Sequence, residues 1–189
     1  MQKTVKILAH PGMFVLGLAV MVIFLLVILP GESEKASEYT PEGKSFDTSF
    51  FYRADSVYER IASYGDEGRA SYIHARWTFD LIFPLAYGLF CLTAAAFGLF
   101  RLVQPGSKLF LLLLLPLFAV LFDLGENTFV TILMSNYPGK LVFIPFAASA
   151  STFIKWIFVT ISMLQAVILP VAAGVKFLIV QRKEGVSDD

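Results

Sequence analysis

Four stretches of this chain are apolar over enough residues to cross a bilayer, and that constrains the fold more than any other feature. A crossing helix needs about 20 predominantly apolar residues, because each adds about 1.5 Å and the hydrocarbon layer is about 30 Å thick. The spans run from about Gly12 to Leu29, about Trp77 to Phe100, about Leu109 to Met134 and about Thr152 to Val180. The expected fold class is an all-α integral membrane protein. It is a four-transmembrane-helix bundle forming a single membrane domain over residues 1–189, with an extracytoplasmic amphipathic helix between the first and second spans. Composition agrees, since 57% hydrophobic residues and a mean hydropathy of +0.70 exceed the soluble range of about 45–50% apolar.

The first span follows Lys3 and Lys6, as a secretory signal would, but its apolar core is too long and "VILPGESE" offers no small-x-small cleavage site. It is expected to remain as an anchor. Basic residues flank the spans unevenly. Lys3 and Lys6 precede the first, Arg101 and Lys108 lie in the second connection, and Lys176, Arg182 and Lys183 end the fourth, against Lys140 alone in the third connection. The positive-inside rule then puts both termini in the cytoplasm, with the plasma (inner) membrane as the expected location. The first connection, residues 30–76, falls outside.

That connection reads in three parts. "GESEKASEYTPEGKS" is polar, carries Gly31, Pro41 and Gly43, and reads as an irregular loop. In "DTSFFYRADSVYERIASYG", Asp47 is an expected N-cap. Phe50, Ala54, Val57, Tyr58 and Ile61 then recur at helical spacing until Gly65, which predicts an amphipathic helix from Asp47 to about Tyr64 on the outer membrane surface. Asp66 can cap a further helix that runs without a breaker into the second span. The region is rich in aromatics (Phe46, Phe50, Phe51, Tyr52, Tyr58, Tyr64, Tyr72, Trp77), which suits either an interfacial belt or a lid over a site in the bundle.

Three spans carry polar stripes. At 100° per residue, Arg76, Asp80, Phe83, Tyr87, Cys91, Ala94 and Gly98 share one face of the second span. Pro116, Ala119, Asp123, Glu126, Asn127 and Val130 share one face of the third; Ser151, Thr152, Lys155, Val159, Ser162, Ala166 and Ala173 share one of the fourth. Polar groups avoid lipid and small residues allow close approach, so the three stripes are expected to face one another, with the first span outside. Counting rise from the outer boundary puts Asp80 and Lys155 roughly 5 Å deep and Glu126 roughly 12 Å deep. The expected shape is a polar funnel, open outward and closed below by small residues.

Intramembrane carboxylates cost roughly 2.5–3.5 kcal/mol each on insertion scales, so "DLGEN", residues 123–127, calls for a reason. Asp123 and Glu126 are the candidate catalytic acid and base. Arg76, Asp80, Tyr87, Asn127 and Lys155 are the candidate binding residues, with Asn127 expected to donate to one of the carboxylates. The competing explanation is an ion-paired helix contact that fixes register, with Arg76–Asp80 as a boundary i,i+4 pair and Lys155 snorkelling to headgroups. Three acids against two bases leave one negative charge, to be met by a shared proton or a cation.

No di-iron Glu-x-x-His pair, Walker loop, G-x-S-x-G, H-E-x-x-H or Rossmann glycine run is present, so no metal ligand and no cofactor are assigned. The lone Cys91 excludes an intrachain disulfide framework, and a formal net charge of +0 gives no reason to expect a nucleic-acid partner. The expected partners are membrane lipids and an amphipathic small molecule. The leading function is binding or processing of an amphipathic or lipid-linked molecule in the polar pocket. The alternatives are a proton- or ion-coupled transport component, which with four spans needs a homo-oligomer, and a non-catalytic membrane subunit that binds a partner.

Overall fold

The structure, a computed structural model, describes residues 2–41, 46, 49, 53 and 56–185, and all their regular structure is helical. Four helices are long and apolar enough to cross a membrane, and the chain is a multi-pass integral membrane protein built as a four-helix bundle. A short helix α1 (Gln2–Leu8) leads to the first long helix, α2 (Pro11–Tyr39). Two helices, α3 (Val57–Ser63) and α4 (Gly65–Arg76), precede the second long helix, α5 (Phe79–Leu102). A tight turn, Lys108–Leu113, winds into α6 (Leu114–Asn136), and α7 (Ile144–Gly185) is the fourth long helix.

The centre of the bundle is α5. Its small residues Ala86, Gly88, Ala94, Ala95, Ala96 and Gly98 are buried and let three neighbours approach. An added Cβ on Gly98 would lie 2.5 Å from the Leu169 carbonyl carbon on α7, and one on Gly17 of α2 would lie 2.5 Å from the Thr93 hydroxyl oxygen. At the end holding both termini, Lys176 of α7 donates to the carbonyls of Arg101 (3.0 Å) and Leu102 (3.4 Å), groups that the end of α5 leaves without helical partners. Arg101 in turn donates to the Ala9 carbonyl at 3.3 Å, tying α1 to the same end.

At the opposite end the chain builds a small core of its own. Phe46, Val57, Ile61, Tyr64 and Tyr72 pack against Val130, Leu133, Met134 and Ala148 from the ends of α6 and α7. The expected aromatic belt is thus in part a buried cap. Tyr64 and Tyr72 meet edge to face, with centroids 5.3 Å apart, and only Trp77 of the group is prominently exposed among its described members.

Three expectations for this region change. First, "GESEKASEY" is helical, not an irregular loop, because Pro30 and Gly31 do not stop α2. Pro30 has no N–H for the Leu26 carbonyl and its ring would crowd that group, and the preceding turn, Phe24–Ile28, is widened so that the Leu29 N–H bonds the Phe24 carbonyl. Good helix formers follow, with Glu32 and Lys35 paired one turn apart. Second, the helix expected from Asp47 starts at Val57, since Ser49 and Arg53 are not helical. Its proposed cap Asp47, with Phe50, Phe51, Tyr52 and Ala54, lies outside the described residues. Gly65, at φ +65°, turns the chain into α4. Third, α4 does not run unbroken into the second span, because the chain bends at Trp77 and Thr78 before α5 starts.

Candidate functional site

The three polar stripes face inward. Arg76, Tyr87, Glu126, Asn127, Ser151, Thr152, Lys155 and Ser162 are all buried. Asp80 and Asp123 are nearly so, with 18% and 14% of their side chains exposed. Two ion pairs organise them. Arg76 reaches down one turn to Asp80 at 2.5 Å, its guanidinium lying over the Tyr72 ring 4.4 Å from the centroid. Lys155 of α7 contacts the Glu126 carboxylate of α6 directly and stands 4.0 Å from Asp123. The Tyr87 hydroxyl of α5 donates to Asp123 at 2.9 Å.

The structure assigns Asn127 a backbone partner instead of the expected carboxylate. Pro84 lies within α5 and has no N–H, so the carbonyl four residues earlier, that of Asp80, lacks its helical donor. The Asn127 side-chain amide fills the vacancy, donating to the Asp80 carbonyl at 2.9 Å. A buried carbonyl without a partner is costly in an apolar environment, which accounts for an amide at this depth.

These groups border a cleft of about 480 Å³. One wall is the polar extension of α2, with Leu29, Glu32, Ser33, Ala36 and Tyr39; the floor is Arg76, Phe79, Asp80, Phe83, Pro84 and Tyr87; the far wall is Lys155, Trp156, Val159 and Met163, with Asp123 at the inner edge. The opening exists because α2 and α7 each pack along α5 on different sides. Toward the terminal end Phe14, Cys91, Ala94, Met163 and Ala166 close the space.

No family model matches the chain, and no curated protein or solved structure is similar to it. The geometry therefore carries the functional argument alone.

Of the residues singled out in the sequence, Arg76, Asp80, Tyr87, Asp123 and Lys155 line one cleft. Glu126 and Asn127 do not. Glu126 is 1% exposed and stands behind Lys155, so of the two candidate catalytic carboxylates only Asp123 borders the cleft. Sequence reasoning missed the α2 wall, because Pro30 and Gly31 read as breakers; the Glu32-to-Lys35 spacing and the run of helix formers were the available signal. It also missed Trp156, which sits next to Lys155 and brings its ring to 5.5 Å from the lysine ammonium. Its indole N–H is buried with no hydrogen-bond partner among the described residues.

Proposed function

We propose that this protein binds an amphipathic, lipid-like molecule in the cleft between α2, α5 and α7. The observation that carries the reading is that one space joins an apolar run (Leu29, Phe79, Phe83, Val159, Met163) to a charged edge (Arg76, Asp80, Asp123, Lys155). A site that is mostly apolar with a few convergent polar groups suits a molecule with a tail and a head.

Depth supports the reading. Lys155 precedes Lys176 on α7 by 21 residues and Asp80 precedes Arg101 on α5 by 21 residues, each about 31 Å of helix. The hydrocarbon layer is about 30 Å thick. With Lys176 and Arg101 at one boundary, Lys155 and Asp80 fall at the other, level with lipid headgroups and shallower than a count from the apolar runs alone suggests, and Asp123 lies about one helical turn deeper than the Asp80 carbonyl that Asn127 bonds. The cap and the end of α2 then stand in water. Basic residues Lys3, Lys6, Arg101, Lys108 and Lys176 gather at the terminal end, which favours that end as cytoplasmic and the cleft as facing the outer leaflet.

The test is mass spectrometry of molecules that co-purify with the wild type and with Ala36→Trp and Val159→Trp, which fill the cleft from the α2 and α7 sides without replacing a member of either ion pair. Wild-type protein carries an amphiphile and the filled variants lose it. Equal retention in all three overturns the reading.

A further inference from the structure

The charges around the cleft narrow what its occupant can be. Asp80, Asp123 and Glu126 stand against Arg76 and Lys155, a formal excess of one negative charge. Neither cation is idle. Arg76 is engaged by Asp80 and Lys155 by the buried Glu126, so an anionic head would compete with a carboxylate already in place for either cation. Asp123 has the lesser hold on Lys155, at 4.0 Å, and it is the acid at the cleft edge. Glu32 adds a second carboxylate on the α2 wall, shared with Lys35, whose side chain is 70% exposed to solvent.

The walls beside these acids are aromatic. Phe79 and Phe83 stack with centroids 5.5 Å apart, Phe83 meets Tyr87 edge to face at 5.7 Å, and Tyr39 and Trp156 line the opposite sides. Aromatic faces attract cations, most strongly those that shed water easily, and disfavour anions. Excess negative charge and π-faces around one cleft both act in the same direction.

We propose that the cleft selects amphiphiles with a cationic, alkylammonium-bearing head, held beside Asp123 and the aromatic walls while the chain lies along Leu29, Val159 and Met163. The bound cation brings positive charge beside a group of side chains whose formal count is three acids to two bases. This rests on the reading of the cleft as an amphiphile site, and it commits that site to a head-group sign opposite to the one that Arg76 and Lys155 alone would suggest. The alkylammonium group can belong to a bilayer lipid with an amine head or to a soluble cationic amphiphile.

Trp156 reports occupancy directly once Trp77→Phe leaves it as the sole tryptophan. In maltoside micelles, that protein is titrated with three bromoalkyl amphiphiles of equal chain length whose heads are trimethylammonium, glucoside and sulfate. The ammonium compound is expected to quench Trp156 at a concentration at least about tenfold below the sulfate, and Asp123→Asn to erase the difference while glucoside quenching persists. The comparison of heads needs no change at Asp123, so it decides the proposal even where Asp123→Asn folds poorly. Sulfate quenching as well as or better than ammonium overturns the proposal and leaves the amphiphile site standing. No quenching by any of the three overturns both. A nanodisc arm assigns the source: phosphatidylethanolamine that competes with the ammonium probe where phosphatidylglycerol does not points to a lipid head. Competition by neither lipid points to a soluble amphiphile.

Discussion

The Tyr87 hydroxyl and the Asp123 carboxylate, 2.9 Å apart, join α5 to α6 through two side chains that both border the cleft. Tyr87→Phe keeps the ring against Phe83 and removes only the donor. Hydrogen bonds between membrane helices contribute about 0.6–1.7 kcal/mol, so a modest fall in melting temperature is expected, with Tyr87→Phe and Asp123→Ala less than additive. Full additivity in a double-mutant cycle in detergent would show that the bond contributes nothing.

Lys155→Met has a larger effect. It leaves Glu126, 1% exposed, and the neighbouring Asp123 without their cation, and removing one partner of a buried pair costs about 3–5 kcal/mol. Poor recovery of monodisperse protein is expected, and Lys155→Met/Glu126→Gln should restore much of it. A double variant as unstable as the single one would assign Lys155 some role other than charge balance.

Asn127 and Pro84 form a testable pair of a different kind. Asn127→Leu strands the Asp80 carbonyl and is expected to cost about 1–3 kcal/mol. Pro84→Ala returns an N–H to the place where that carbonyl looks for one. Asn127→Leu should therefore be milder in the Pro84→Ala background, read as melting temperatures of the four proteins. Equal penalties in both backgrounds would sever the proline from the amide.

The closed end of the bundle depends on contact between backbones. Gly98→Val places a branched side chain where even a Cβ would lie 2.5 Å from the Leu169 carbonyl carbon, and overpacking of this kind costs about 1–3 kcal/mol. Loss of thermal stability is expected, read as the melting temperature in detergent. A variant that melts like wild type would mean that α7 shifts freely along α5.

Sidedness is read by labelling. Cys91 is buried, so Ser33→Cys on the α2 wall and Ser107→Cys in the opposite connection introduce the accessible thiols among the described residues. A membrane-impermeant maleimide applied to intact cells should modify the first and spare the second. The reverse pattern inverts the topology.

The bundle was legible in the sequence because lipid imposes one rule on every residue of a span. Stripes such as Asp80, Tyr87 and Cys91, or Asp123 and Glu126, reveal the inward faces by polarity alone, and the charge count follows from them. The cleft was only half legible, because its second wall follows a proline. Whether Pro30 ends a helix depends on the turn before it, and Phe24–Ile28 widens to keep the helix going. Asn127 was placed on the correct face but given the wrong partner. Side-chain chemistry suggests a carboxylate, whereas the decisive fact is a missing N–H at Pro84, four residues beyond Asp80 on another helix.

The length of α2 has a mechanical consequence. Near its start Gly17 is seated on α5, and at its far end the Tyr39 carbonyl lies 3.1 Å from where a Cβ on Gly68 of α4 would stand, so the helix is clamped at both ends. The clamps are 22 residue steps apart, about 33 Å, and the widened turn Phe24–Ile28 sits near the middle, immediately before the cleft wall begins at Leu29. A beam held at both ends yields to a load by bowing at its weakest section. Load on the cleft wall is thus met by bending at that turn, and the same bend links the width of the cleft to any force that tilts α2 in the bilayer.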